Sequence, residues 1–197
     1  MLVVGLTGGI GSGKSSVASR LVDRGAVLVD ADALVREVQA PGGPAFTPIV
    51  ERFGRGVVAP DGTLDRQAIA DVVFGNTEEL AALNAIVHPL VAAGMAERLG
   101  ELAETDEIVI LDIPLLVESS RQSAAQYVIV VDTPEDVAVA RLVEHRGFTE
   151  ADARARMKNQ ASRRARLDRA SFVVDNSGTP ADLDAEVARC WAWLQTL

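Results

Sequence analysis

The sequence predicts an α/β protein, a five-stranded parallel sheet flanked by helices, with a helical insert and a smaller two-helix projection attached. Three observations predict it. Short unbroken apolar runs alternate with stretches of helical period, as strands covered on both faces by crossover helices do. That alternation lapses between about 33 and 106, where turns and helical signals replace strands. A glycine-rich turn joins the first apolar run directly to the first helical stretch.

Taken in order, the strands are Leu2 to Leu6, Ala26 to Val29, Ile108 to Leu111 and Tyr127 to Val131, with Phe172 to Val174 as a weaker fifth. After the first strand, Val17, Ala18, Leu21 and Val22 share one helical stripe, and Gly25 supplies the stop. In the insert, Pro41-Gly42-Gly43-Pro44 and Pro60-Asp61-Gly62 read as turns, and Asn76-Thr77-Glu78-Glu79 caps a helix that Pro89 is expected to interrupt. Thr133-Pro134-Glu135-Asp136 sets out a cap, a first-turn proline and an acid. The helix that follows stops at Gly147, and Thr149-Glu150-Ala151-Asp152 opens its partner. Thr179-Pro180-Ala181-Asp182 opens a last helix, expected to run to about Leu194.

Composition bounds the function. A chain of 197 residues, 48% hydrophobic and 24% charged, suits one core with an insert and excludes a disordered scaffold. A net charge of −9 argues against a surface that grips nucleic acid or anionic lipid. The single cysteine, Cys190, rules out an internal disulfide and a cysteine-rich metal site. Met1 to Gly5 shows no basic leader, and no eighteen apolar residues run together. The expectation is a cytoplasmic monomer with at most weak self-association, and with no nucleic-acid or membrane partner. The charge is uneven, however. Between Arg141 and Arg169 nine Lys/Arg face four Asp/Glu, whereas the remainder carries ten against 24. An acidic chain that gathers its arginines in one segment meets an anion there, or else exposes a solvated helix pair.

Gly8-Gly9-Ile10-Gly11-Ser12-Gly13-Lys14-Ser15 matches G-x-x-x-x-G-K-[ST] between a strand and a helix, where such a loop works. Glycines let backbone N–H groups turn inward around phosphate oxygens without Cβ clashes. Lys14 is expected to reach the β- and γ-phosphates and Ser15 to offer its hydroxyl to Mg²⁺, while the helix N-terminus adds positive potential. A loop of this kind specifies a nucleoside triphosphate and not a reaction. No guanine-reading N-K-x-D or T-K-x-D is present, and Asp112, in the place of a Walker-B acid, is followed by Ile113 and not by a water-activating glutamate. Both absences favour transfer over hydrolysis. A base is then needed, and Asp30-Ala31-Asp32, at the carboxyl end of the second strand, offers two candidates. Asp32 serves equally well as the cap of the helix that begins at Ala33. At this point a small-molecule kinase of another specificity and a nucleotide-gated interaction protein remain open.

Leu6 to Ser15 joined to Asp30-Ala31-Asp32 resembles the dephospho-CoA kinase family. Pro41-Gly42, Phe53-Gly54, Asp61 to Arg66, Leu83-Asn84, His88-Pro89-Leu90, Pro114-Leu115-Leu116, Gln160-x-x-Arg163-x-x-Arg166 and Asp175-Asn176-x-Gly178 extend the match along the whole chain. The resemblance implies transfer of phosphate from ATP, with Mg²⁺, to the 3′-hydroxyl of dephospho-CoA. It implies a nucleotide-binding core of residues 1–32, 107–133 and 170–197, a dephospho-CoA-binding insert of 33–106 and an arginine-rich lid of 134–169. It assigns ATP to Gly8, Gly9, Ile10, Gly11, Ser12, Gly13, Lys14, Ser15 and Ser16, the general base to Asp32, and phosphate stabilisation to Arg141 alongside Lys14. Arg154, Arg163 and Arg166 are further lid candidates. Ser16 stands where the family often has threonine, and Ala170-Ser171 replaces the family's usual Ala-Asp.

Overall fold

The computed structural model describes residues 1–113 and 125–197, so the Pro114-Leu115-Leu116 match lies outside the described residues. The five apolar runs form the strands β1 (Leu2–Gly8), β2 (Val27–Asp30), β3 (Ile108–Asp112), β4 (Tyr127–Asp132) and β5 (Phe172–Asp175). They make one sheet in the order β2-β3-β1-β4-β5. The pairings of β1 with β3 and β4, and of β4 with β5, are parallel: Leu2 lies against Ile108, Val4 against Tyr127, and Ile129 against Phe172. This register brings the carboxyl ends of β1, β3, β4 and β5 to one edge, and β1 opens between neighbours that lie on either side of it, a switch point where ligands sit in open α/β sheets.

The chain divides into two compact units, residues 1–29 with 104–197, and residues 30–103. In the first, α1 (Lys14–Val22) and α9 (Pro180–Leu194) cover the sheet. Val17, Ala18 and Leu21 from α1 and Leu183, Val187, Cys190 and Leu194 from α9 close over Val4, Leu6, Ile110, Ile129, Val131 and Val174. Recurrence at three and four residues puts each set on one face, and burial of that face, at about 25 cal/mol per Å² of apolar surface, holds helix to sheet. A smaller cluster of Val139, Leu142 and Ala153 joins α6 (Glu135–Arg146) to α7 (Glu150–Lys158), and a short α8 (Arg163–Leu167) follows. Gly147, at φ 67°, makes the left-handed stop after α6.

The second unit is helical: α2 (Ala31–Gln39), α3 (Phe46–Phe53), a 3-10 turn at Arg55–Val57, α4 (Arg66–Val73) and α5 (Thr77–Leu102). Gly94 lets α2 and α5 come close, since a Cβ there would sit 3.1 Å from Leu34 Cδ2. The expected break at Pro89 does not occur, and α5 runs unbroken for 26 residues. Pro89 and Ala85 are both exposed, so the Ala85 carbonyl that loses its helical donor faces water, which can serve it. By length and composition α5 could cross a membrane, yet it packs on α2, α3 and α4 and buries Val87, Val91 and Met95.

Two caps differ from expectation. Asp30, and not Asp32, caps α2, its carboxylate accepting from the Asp32 and Ala33 N–H groups at 2.8 and 3.1 Å. Pro134 occupies the cap position of α6, and Thr133 turns its hydroxyl elsewhere. The chain still extends along β4 to Asp132, so Thr133 sits at the sheet edge and its hydroxyl points across that edge.

Candidate active site

Between β1 and α1 the chain makes a tight turn that only glycine allows at two points, Gly11 at φ 78° and Gly13 at φ 82°. Gly8 is constrained by space, because a Cβ there would meet Ser12 Oγ at 2.5 Å and the Val131 carbonyl oxygen at 3.0 Å. Ser12 N–H donates to the Gly9 carbonyl at 3.0 Å and Ser16 N–H to the Gly13 carbonyl at 2.9 Å, closing the turn on itself. Gly13 occupies the cap position of α1 without a capping side chain. No partner among the described residues meets the N–H groups of Gly11, Gly13, Lys14 or Ser15. A row of unpaired amides at a helix N-terminus is an anion cradle. The Ser12 hydroxyl is buried and also has no partner among the described residues, a polar atom that a ligand can satisfy.

Side chains distant in sequence surround this turn. Lys14 Nζ is paired with the Asp112 carboxylate at the end of β3. Ile10 N–H donates to Gln160 Oε1 at 2.9 Å. The Ser12 carbonyl accepts from Asn176 Nδ2 at 2.7 Å and from the Thr133 hydroxyl at 3.1 Å. Arg166 lies so close to Gly9 that a Cβ there would be 2.7 Å from Nη2. Arg163 forks onto Asp132 with contacts of 2.7 and 2.6 Å, and those hydrogen bonds raise its pKa above the ordinary value, so the guanidinium stays charged. Beside Gly9, Ile10 and Ser12 lies a cavity of about 300 Å³ whose wall carries Arg154, Lys158, Arg163 and Arg166 against Asp132 and Glu135. That is four cations against two carboxylates, a surplus suited to a polyanion.

The structure therefore brings the residues Gly8 to Ser16 together in one turn, with Lys14 turned toward Asp112 and with Ser15 and Ser16 exposed on the first turn of α1. Arg141 joins the same unit beside Gly13, donating to the Asn176 carbonyl at 2.8 Å and the Gly178 carbonyl at 3.4 Å. Asp32 belongs to the second unit, exposed near the start of α2, with its carboxylate released from capping by Asp30. For a divalent cation this unit offers the Ser15 hydroxyl and the Asp112 carboxylate, which Lys14 meets, as oxygen donors. No group of three or more His, Cys, Asp or Glu that could hold a metal occurs among the described residues. That donor set fits Mg²⁺, which keeps waters and takes substrate phosphates as ligands. Cys190 lies in the core beneath α9, where burial pushes its thiol up to about 12 and away from nucleophilic use.

Sequence reasoning missed three partners of the turn, Thr133, which it reads as a cap, Gln160 and Asn176, and it missed Asp132 as the partner of Arg163. Gln160 and Asn176 stood in motifs already noted, but nothing local indicated that they touch residues 10 and 12.

The dephospho-CoA kinase family model (CoaE) matches residues 2–182. A dephospho-CoA kinase of Thermobifida fusca is 50% identical over 195 residues, 99% of this chain and 97% of that protein. Among solved structures, TT1252 from Thermus thermophilus is 34% identical with a TM-score of 0.82, covering 98% of this chain and 97% of that one. A dephospho-CoA kinase from Campylobacter jejuni shares the fold at a TM-score of 0.75 and 22% identity, with 98% and 97% covered.

Proposed function

The chain belongs to the dephospho-CoA kinase family and phosphorylates dephospho-CoA to coenzyme A using ATP, and from that premise we propose how its own residues carry the transfer. The observation that carries the proposal is the set of amides of Gly11, Gly13, Lys14 and Ser15, unpaired among the described residues, beside a cavity walled by four cations. The triphosphate tail lies in this turn, held by the amides and by Lys14, which leaves Asp112 for the β- and γ-phosphates. Ser15 and Asp112 would hold Mg²⁺, which when bound neutralises phosphate charge.

The acceptor is the 3′-hydroxyl of the dephospho-CoA ribose, and residues 33–106 form the insert that receives the substrate. Asp32 takes the hydroxyl proton as general base, a role supported by its exposed carboxylate and by the transfer of the capping duty to Asp30. Residues 134–169 act as the lid. Arg141 approaches from the side of Gly13, while Arg163 and Arg166 line the cavity beside Gly9 and Ile10, so stabilisation of the transferring phosphoryl group is shared among them. Exclusion of water by these side chains favours the ribose hydroxyl over hydrolysis.

Incubation with ATP, Mg²⁺ and dephospho-CoA, followed by mass spectrometry, is expected to show one phosphate added on the ribose. Asp32→Asn is expected to lose turnover by about 10²-fold or more with ADP affinity nearly unchanged, whereas Lys14→Ala loses both. Unchanged turnover in Asp32→Asn would remove that residue from the chemistry.

A further inference from the structure

The Ser12–Gly13 peptide is the weak point of the phosphate turn. Gly13 sits at φ 82°, and the freedom that permits this conformation also lets the preceding peptide plane rotate. In a trans peptide the carbonyl and the following N–H point in opposite directions, and the described chain has no cis bond. Whatever holds the Ser12 carbonyl therefore aims the Gly13 N–H. A flipped plane would present a carbonyl oxygen to the anion where a donor is needed.

Two side chains hold that carbonyl. Asn176 Nδ2 and the Thr133 hydroxyl both reach it, and all three residues are less than a tenth exposed. Asn176 crowds Gly13 closely enough that no Cβ could be placed there. The Thr133 hydroxyl also lies 3.2 Å from the Asn176 carbonyl, and Arg141 donates to that same carbonyl, which ties the grip to α6. We propose that Thr133 and Asn176 are positioning residues that lock the Ser12–Gly13 peptide with its N–H facing the phosphate, so that the turn is set before nucleotide arrives. The proposal rests on the reading that this turn holds the ATP phosphates. It explains why Thr133 does not cap α6 and why the carboxamide at 176 is buried.

The test is ADP affinity by calorimetry together with KM for each substrate. Asn176→Asp sets a carboxylate oxygen against the Ser12 carbonyl, and Thr133→Val keeps shape while removing the donor. Asn176→Asp is expected to weaken ADP binding and raise KM for ATP by about tenfold or more. Thr133→Val is expected to move both in the same direction by less, with KM for dephospho-CoA within about twofold of the parent chain in each case. Thr133→Ser, which restores the hydroxyl, is expected to restore ADP affinity. Leu194→Ala, a core truncation at the far end of α9, is the control, expected to lower the melting temperature without changing ADP binding. Parent-like ADP affinity in Asn176→Asp and Thr133→Val overturns the proposal, as does equal weakening in Leu194→Ala. Should Asn176→Asp fail to fold, the Thr133→Val and Thr133→Ser pair decides. Lys14→Ala in the same assay separates the two readings: if it too binds ADP like the parent chain, the nucleotide assignment of the turn has failed, and not merely its positioning.

Discussion

Asp30 and Asp32 are two residues apart, yet the fold gives them different surroundings. The strand β2 ends at Asp30, whose extended backbone suits a cap position, so its carboxylate satisfies two of the four orphan N–H groups of α2. It also lies 3.5 Å from Arg36. Asp32 is already helical and does not cap, and it is exposed. Asparagine caps as well as aspartate does, which gives the pair distinct signatures. Asp30→Ala is expected to cost about 1 kcal/mol in urea unfolding, and Asp30→Asn close to nothing. A full loss of turnover in Asp30→Asn, with no loss in Asp32→Asn, would exchange their roles.

At the scale of elements, α9 shows how a local signal becomes a firm helix start. The Thr179 hydroxyl and N–H both donate to the Asp182 carboxylate, at 2.7 and 2.8 Å, and Thr179 accepts from the Asp182 N–H. The hydrogen bond from the Thr179 hydroxyl, followed by that from its backbone, holds the Asp182 carboxyl below its ordinary 3.8. A carboxyl with a lowered folded pKa adds stability that is complete above its unfolded pKa and is lost as pH falls through the folded one. The melting temperature of Asp182→Ala is thus expected to lie below that of the parent chain at neutral pH. The gap should hold above that ordinary value and close as pH falls below it. A gap independent of pH would mean that the carboxylate plays no part in holding the helix start. The same local rules fail at α6, where Thr133 is drawn off to the Ser12 carbonyl, and at α5, where solvent tolerates Pro89 inside the helix.

Over the whole molecule, charge is segregated: the chain carries −9, but nine of its 19 Lys/Arg fall between Arg141 and Arg169, and four of those nine line the cavity beside the turn. Field from such a wall raises the local concentration of a polyphosphate and is screened by salt. The kcat/KM for ATP is expected to fall as NaCl rises from about 0.05 to about 0.5 M, where the Debye length shortens from over 10 Å to under 5 Å. Substitution of Arg163 and Arg166 by glutamine should flatten that dependence, and an unchanged slope would mean that the wall does not steer nucleotide.

What the sequence determined by itself was whatever has a short-range cause. Apolar runs mark the five strands, glycines at fixed spacing mark the turn between β1 and α1, and capping spacings mark the starts of α5, α7 and α9. The family was legible from the same ordered motifs. Only the tertiary structure decided which side chains meet across the sheet edge: Ile10 with Gln160 at a separation of 150 residues, Ser12 with Asn176 at 164, Lys14 with Asp112 at 98. Those meetings depend on strand order and register, and a hydrogen bond closed over such a distance leaves no period or spacing in the chain. Thr133 shows both causes at one residue, since its sequence context predicts a cap and the parallel register sends its hydroxyl to the Ser12 carbonyl.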